Sequence, residues 1–167
     1  MKAKLTIDGK EFEIEISEEQ AKALTEKKKK TGYERVEPGE NYYIEKHGES
    51  YEYTETGVIF DSKQYESANY YSDRTVAENN ARADRLYRQL RRFAVEHRKK
   101  KIDWNDENTE KYFIYYSHSN NAFYINSNAR NQSFGVNFFN TRDTARLAID
   151  TFKDELLWYF TEYKDSL

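Results

Sequence analysis

The chain has 167 residues, enough for one domain or two very small ones. Only 37% of the residues are apolar, but 15 Tyr, 10 Phe and 2 Trp can supply a largely aromatic core. The absence of cysteine excludes disulfides, thiolate zinc sites and cysteine nucleophiles. We therefore expect a folded, highly charged protein, since disordered chains are poor in aromatic residues.

No secretory or membrane segment is visible in the sequence. The first residues, "MKAKLTIDGKEF", contain no apolar stretch of the kind that a signal peptide needs. No apolar run approaches the roughly 20 residues of a membrane-spanning helix. Together with the lack of cysteine, these features predict a cytoplasmic protein that makes no contact with a membrane.

The N-terminal segment, residues 1–32, is predicted to form a β-hairpin and a helix. Apolar residues alternate along residues 4–16 on both sides of Asp8-Gly9, which is a two-residue turn signal. Ser17 then suits the N-cap position, and the helix would run to about Lys30.

The remainder is interpreted as an internal duplication, with copies at residues 33–101 and 102–167. Each copy has a strand similar to "NYYI", followed later in the sequence by a shared motif. The motif is Asn, two aromatic residues, a capping residue, any residue, Arg, any two residues and Ala. The matched pairs are Asn69 with Asn137, Tyr70 with Phe138, Tyr71 with Phe139, Ser72 with Asn140, Arg74 with Arg142 and Ala77 with Ala145. Ser72 and Asn140 would be helix N-caps. Chance similarity between aromatic-rich strands is the alternative.

A long amphipathic helix should close each copy. Apolar residues recur at helical spacing over residues 73–98 and again over 141–163. The predicted fold is therefore a single α+β domain over residues 1–167. It comprises the hairpin and helix, followed by two β-rich repeats that each end in a long amphipathic helix, with mostly antiparallel sheet.

Positive charge is concentrated in the first of these helices. The chain has a formal net charge of −3, yet residues 82–101 contain nine basic and two acidic side chains. On a helical wheel, some of these residues lie opposite the core face and others flank it. The first group is Arg85, Arg88, Arg92 and Lys99, and the second is Arg82, Arg91 and Arg98.

These seven residues are the candidate binding site. Forked guanidinium donors suit phosphates and carboxylates alike, so the partner could be a nucleic acid or an acidic protein surface. The acidic segment 31–81 could also supply the carboxylates within the molecule, and a purely solvated helix face is a further possibility. Overall acidity argues against a general nucleic-acid binder.

The second helix serves as an internal comparison. Its predicted outer face carries no basic residue, so the fold would not require arginines there. That face contains Leu147 and Trp158, which would form a second contact or a homodimer surface unless another element covers them. The oligomeric state, monomer or homodimer, is left open.

No catalytic, metal or cofactor site is predicted. His97 falls on the core face of the first helix, where a structural role is expected. The acidic stretch "DWNDEN", residues 103–108, lacks the glycine of a calcium loop and is better interpreted as a linker rich in turn-forming residues.

The chain resembles a group of small accessory proteins from phages and prophages of Gram-positive bacteria. The resemblance spans about residues 1–163 and rests on aromatic and polar motifs. These are "TGYERVEPGENYYIEKHGE", "YESANYYSDRTVAE", "LYRQLRRFAVEH", "IDWNDENTEKYFIYY" and "NFFNTRDTARLAIDTFKDELLWYF". Some phage accessory proteins of this type are anti-CRISPR proteins, including Cas9 inhibitors. The resemblance carries over no individual functional residue.

The resemblance implies a phage-derived inhibitor that acts in the cytoplasm of a host bacterium. Its partner would be a defence nuclease of the Cas9 type, or the ribonucleoprotein complex of that nuclease, and the protein would act by binding and not by catalysis. The alternative is a phage accessory protein that binds DNA or RNA directly. A small enzyme of unknown type is the third and least favoured hypothesis.

Overall fold

The computed structural model describes residues 2–7, 10–19 and 30–163, and the chain divides into two compact units. The first unit, Met1–Thr31, contains strand β1 (Lys2–Ile7) paired antiparallel with strand β2 (Lys10–Glu15). The predicted N-terminal hairpin is therefore confirmed. The predicted Asp8-Gly9 turn and most of the predicted helix lie outside the described residues.

The second unit, Gly32–Leu167, mixes helices with antiparallel strand pairs. All three sheets in the described part of the chain have only two strands. The elements in chain order are β3 (Asn41–Lys46), β4 (Glu49–Thr54), α1 (Ile59–Glu66), α2 (Arg74–Glu96), β5 (Lys111–Ser117), β6 (Ala122–Asn128), α3 (Arg142–Thr151) and α4 (Lys153–Thr161). The mixed α and β composition and the antiparallel pairing are as predicted. None of the described helices is long and apolar enough to cross a membrane.

The first core lies between the β3–β4 hairpin and the segment that leads into α2. Tyr42 and Tyr70 are buried there, with their rings stacked 4.0 Å apart. Tyr70 donates a hydrogen bond to Glu55, which also receives two bonds from the Arg35 guanidinium. These bonds satisfy a carboxylate that is nearly inaccessible to solvent, and the Arg35 contact holds the pKa of Glu55 below its usual range.

A second buried carboxylate, Asp61, fixes the start of helix α1. The Tyr42 hydroxyl donates to its Oδ1 at 2.7 Å, and Oδ2 accepts from the backbone N–H groups of Thr56 and Val58. The bond from Tyr42 is the main reason why the pKa of Asp61 is lowered to about 2. Because this carboxylate serves both the aromatic core and the helix terminus, it links the hairpin to α1.

The second core is formed by α2, α3 and α4 against the inner face of the β5–β6 hairpin. Its buried residues are Leu86, Leu90, Phe93, Ala94, Phe139, Ala145, Ala148 and Leu156. Alternate residues of β5, Tyr112 and Ile114, pack against this cluster, as the twofold periodicity of a strand requires. The core-facing stripe of α2 therefore contacts the second half of the unit, whereas other residues of the helix pack against β3 and β4.

The second helix is not continuous, contrary to the prediction of one helix over residues 141–163. Helix α3 ends at Thr151, and α4 begins at Lys153 after Phe152, whose φ and ψ are −113° and 23°. The Thr151 hydroxyl donates to the carbonyl of Leu147 at 2.7 Å, and this type of back-bonding bends helices. Leu156 of α4 still lies in the second core, and Phe152 and Phe160 pack against it, as the periodicity predicts.

Both predicted N-caps are displaced by one residue. Asp73 caps α2 by accepting from the Val76 N–H, and Thr141 caps α3 by accepting from the Thr144 N–H. The predicted caps Ser72 and Asn140 precede them. Ser72 donates instead to Glu34, and the buried Oδ1 of Asn140 has no hydrogen-bond partner within the described part of the chain.

The duplication stays a prediction. In each half, a strand residue exchanges two backbone hydrogen bonds with the residue two positions before a helix cap: Tyr43 with Tyr71, and Tyr112 with Phe139. However, the sequence motifs align Tyr43 with Phe113 and not with Tyr112. The two halves therefore differ by one residue in this pairing.

The bond between Tyr42 and Asp61 makes a testable contribution to acid stability. We expect Tyr42→Phe to lower the free energy of unfolding by about 1–3 kcal/mol at neutral pH, since it removes a buried bond to a carboxylate. Because the pKa of Asp61 is lower in the folded chain than in the unfolded chain, its ionised carboxylate stabilises the fold at pH values above the unfolded-state pKa, near 3.8. This stabilisation is lost as the pH falls toward about 2.

The difference in melting temperature between wild type and Tyr42→Phe should therefore shrink as pH falls from about 4 toward 2. Circular dichroism melts across this range measure it. A difference that is independent of pH would contradict the assigned role of the ionised Asp61.

Candidate anion-binding cleft

An open cleft of about 510 Å³ lies between the outer face of α2 and the turn of the β3–β4 hairpin. It is lined by Glu45, His47, Arg85, Arg88, Gln89 and Arg92. Three of these, Arg85, Arg88 and Arg92, are the arginines that the helical wheel placed opposite the core. The structure thus brings them together in one concave surface with residues from an earlier strand and turn.

The hairpin turn, His47-Gly48, is shaped to fit against the helix. Both residues have positive φ, 60° and 84°, between the paired residues Lys46 and Glu49. Such a conformation at both central positions is typical of a two-residue turn that matches the twist of the strands. Glycine suits the second position for this reason. His47, which has the left-handed backbone conformation at the first position, lines the cleft.

Arg85 packs directly on this turn. Its Nη1 donates to the Gly48 carbonyl at 3.3 Å. A Cβ atom at position 48 would lie only 3.2 Å from the Arg85 Cδ, so a larger residue would displace the arginine stem. Gly48 is therefore required by its backbone conformation and also by the close approach of Arg85.

Arg88 is held by Glu45, which is the only carboxylate among the residues that line the cleft. The Glu45 Oε1 accepts from Arg88 Nη2 at 3.0 Å and from the Gly48 N–H at 2.7 Å. Asn69, a residue of the predicted repeat motif, bonds to both backbone groups of Glu45. This pairing positions Glu45, and through it Arg88 and the turn.

Arg92 is the least constrained of the three arginines. Its side chain is 73% exposed, and its contact with Glu96 is long, at 3.7 Å. An exposed pair one helical turn apart contributes little free energy. The cleft therefore combines two positioned guanidinium groups with one that can reorient, and three positive charges face a single negative one.

Arg82 has a different environment from the cleft arginines. It makes a two-pronged contact with Glu155 of α4, at 2.8 and 3.1 Å, and its guanidinium lies 4.0 Å from the centre of the Trp158 ring. The bonds from Arg82 also hold the pKa of Glu155 below its usual range. These contacts join α2 to α4, so a structural role accounts for Arg82.

Three further predicted site residues, Arg91, Arg98 and Lys99, are exposed. They form no ion pair with the part of the chain that the structure describes. Arg91 lies on α2, whereas Arg98 and Lys99 follow the end of that helix. None of the three lines the cleft.

Trp158 is covered by another element, which is the alternative left open above to an exposed contact surface. Its side chain is only 7% exposed and lies against the Arg82 guanidinium of α2. Leu147 is exposed, as predicted, but it stands on the other side of the helix break at Phe152. The two residues therefore do not form one outer face of a continuous helix.

Two other predictions concern His97 and the acidic stretch at residues 103–108, which both lie outside the cleft. The core-face position of His97 is wrong, since the residue follows the last helical residue and is exposed, with its ring stacked on Phe93. In "DWNDEN", Asp103 and Asp106 accept backbone N–H groups two residues ahead, which is turn geometry. Across the described ranges, no group of three His, Cys, Asp or Glu residues could hold a metal ion.

Sequence reasoning missed the contribution of the hairpin to the cleft. Gln89 lies on the correct helix face, but Glu45 and His47 are about 40 positions away in sequence. The dipeptide His47-Gly48 between two strand-like runs was the available signal for a turn. Its contact with α2 is a long-range property that no local pattern specifies.

Comparisons of this chain with protein-family models, curated proteins and solved structures found no match. The resemblance to phage accessory proteins consequently stays a prediction.

The division between structural and cleft arginines can be tested by stability measurements. We expect Arg82→Ala to lower the free energy of unfolding by about 1–2 kcal/mol, because it removes the Glu155 pair and the cation–π contact. Arg91→Ala, the matched control on the same helix, should change it by less than about 0.5 kcal/mol. Chemical denaturation monitored by circular dichroism measures both. Equal effects would contradict the division.

Proposed function

We propose that this protein is a non-catalytic inhibitor of phage origin that binds a bacterial defence nuclease. Following the resemblance, a Cas9-type nuclease or its ribonucleoprotein complex inside the host cell is the proposed target. The arginine cleft of Arg85, Arg88 and Arg92 would provide the contact.

The observation that carries this proposal is the composition of the cleft. Its residues are three arginines, a histidine, a glutamine and one carboxylate, which together offer many hydrogen-bond donors and an excess of positive charge. Ser, Thr, Cys and Lys nucleophiles are absent from this set. Such a surface is suited to holding an anionic group by charge-assisted hydrogen bonds rather than to transforming it.

Overall acidity favours a defined partner over general binding to nucleic acid. The chain as a whole has a charge of −3, so its net charge does not attract polyanions, and any binding to them depends on local cationic surfaces such as the cleft. A local cationic cleft within an acidic protein requires that the partner present its anionic group in a complementary surface. An assembled nuclease complex meets this requirement.

Direct binding to DNA or RNA is the second candidate. It is favoured by the exposed cations beyond the cleft, Arg98 to Lys101, which form no ion pair with residues that the structure describes. These cations could follow a phosphate backbone past the end of α2.

The test compares a charge-reversed cleft variant, Arg85→Glu/Arg88→Glu/Arg92→Glu, with wild type in a DNA-cleavage assay using a purified Cas9–guide complex. A pull-down from host lysate identifies another target if Cas9 is not bound. The matched control reverses three exposed lysines elsewhere, Lys30, Lys63 and Lys153, for the same change in net charge.

We expect wild type and the control variant to inhibit cleavage and to retain the nuclease, and the cleft variant to lose at least about tenfold in potency. This corresponds to the removal of three charge-assisted contacts. Melting curves verify that each variant is folded. Full potency in a folded cleft variant would refute the proposed site.

A further inference from the structure

We propose that the anion held in the arginine cleft is a nucleic-acid backbone phosphate, with Glu45 acting as an internal counter-ion that limits the affinity. This inference rests on the proposed function in that it assigns the cleft to the guide or target nucleic acid of the nuclease complex, and not to an acidic protein surface. It selects one of the two ligand classes that the sequence left open, and it adds a residue, Glu45, that the sequence did not indicate.

The charge of the cleft favours phosphate. The six residues that line the cleft include three arginines and one glutamate, an excess of two positive charges, and the neighbouring carboxylates Asp84 and Glu96 lie close to Arg88 and Arg92 and reduce the net charge around it. A single carboxylate side chain would neutralise only half of this excess. Two consecutive phosphodiesters would neutralise it fully, and each offers oxygens that match the forked guanidinium donors.

The size and shape of the cleft also favour a phosphate-containing ligand over a single carboxylate. About 510 Å³ is within the range of pockets that hold a small-molecule-sized group such as a nucleotide, and it is far larger than one carboxylate requires. The arginines and His47 are exposed, so the cleft is open to solvent and a chain could enter and leave it. Gln89 adds an amide that can donate and accept hydrogen bonds.

Glu45 already occupies the position of an anionic ligand beside Arg88. Its Oε1 accepts the Arg88 N–H at 3.0 Å, as a phosphate oxygen would, and the carboxylate is largely shielded because its exposed fraction is only 17%. An incoming phosphate would be repelled by this charge and would compete with it for Arg88. Replacing the charge while keeping the acceptor should therefore strengthen phosphate binding.

The variant Glu45→Gln performs this replacement. The amide oxygen can still accept the Gly48 N–H, so the turn keeps its support, whereas one negative charge leaves the cleft. We expect its affinity for a fluorescein-labelled single-stranded oligonucleotide at low salt to increase by about 3- to 10-fold, as expected for one nearby charge. Fluorescence anisotropy gives the dissociation constants.

Glu66→Gln is the matched control, since it makes the same change in net charge at an exposed site outside the cleft. It should leave the affinity within about twofold of wild type, because Glu66 does not line the cleft and the Coulomb interaction of an exposed charge with a ligand there weakens with distance through water. The charge-reversed cleft variant should lose binding. Poly-glutamate, as a carboxylate polymer, should compete weakly with the oligonucleotide.

Several results would overturn the inference. They are an unchanged or weaker affinity of folded Glu45→Gln, equal gains in Glu45→Gln and Glu66→Gln, poly-glutamate binding as tight as that of the oligonucleotide, or no oligonucleotide binding at all. The inference and the proposed function can be refuted independently of each other. Nuclease inhibition that depends on the cleft without oligonucleotide binding would keep the function and reject phosphate, whereas oligonucleotide binding without inhibition of any nuclease would do the reverse.

Discussion

The first half of the second unit depends on two carboxylates buried in an aromatic core. Burying a charge is costly unless it is fully hydrogen-bonded, and here Glu55 and Asp61 are satisfied by tyrosine hydroxyls, backbone N–H groups and the Arg35 guanidinium. These bonds fix the β3–β4 hairpin relative to α1 and to the segment before α2. The same hairpin supplies the turn that borders the cleft, so the cleft is built on a hairpin that this network supports.

One helix with many arginines thus performs two tasks. On α2, Arg82 connects to α4 through Glu155 and Trp158, whereas Arg85 and Arg88 support the hairpin turn while they present guanidinium groups to solvent. An arginine that is already held in place loses less conformational freedom when it meets a ligand. The internal contacts are therefore compatible with a binding role and lower its entropic cost.

Sequence patterns specified the local features well. Alternation and turn signals located the first hairpin, and helical periodicity placed Arg85, Arg88 and Arg92 on one face of α2. They failed where long-range contacts decide the outcome. Periodicity alone could not show where the second helix is interrupted, nor decide whether Trp158 is exposed or covered, because its contact with Arg82 joins two helices that are distant in sequence. The same limit explains why Glu45 was missed, since its role arises from the seating of the turn on the helix.

The central claim is that the arginine cleft exchanges its counter-ions for the phosphates of a nucleic acid, and the salt dependence of oligonucleotide binding tests it most directly. For a single strand that engages three cations, the logarithm of the association constant should fall with the logarithm of salt concentration with a slope of about −2. In Arg92→Ala, which removes one of the three cations and keeps measurable binding, the slope should be less steep by about 0.7. A slope near zero for wild type, or one that is the same in the two proteins, would contradict the account.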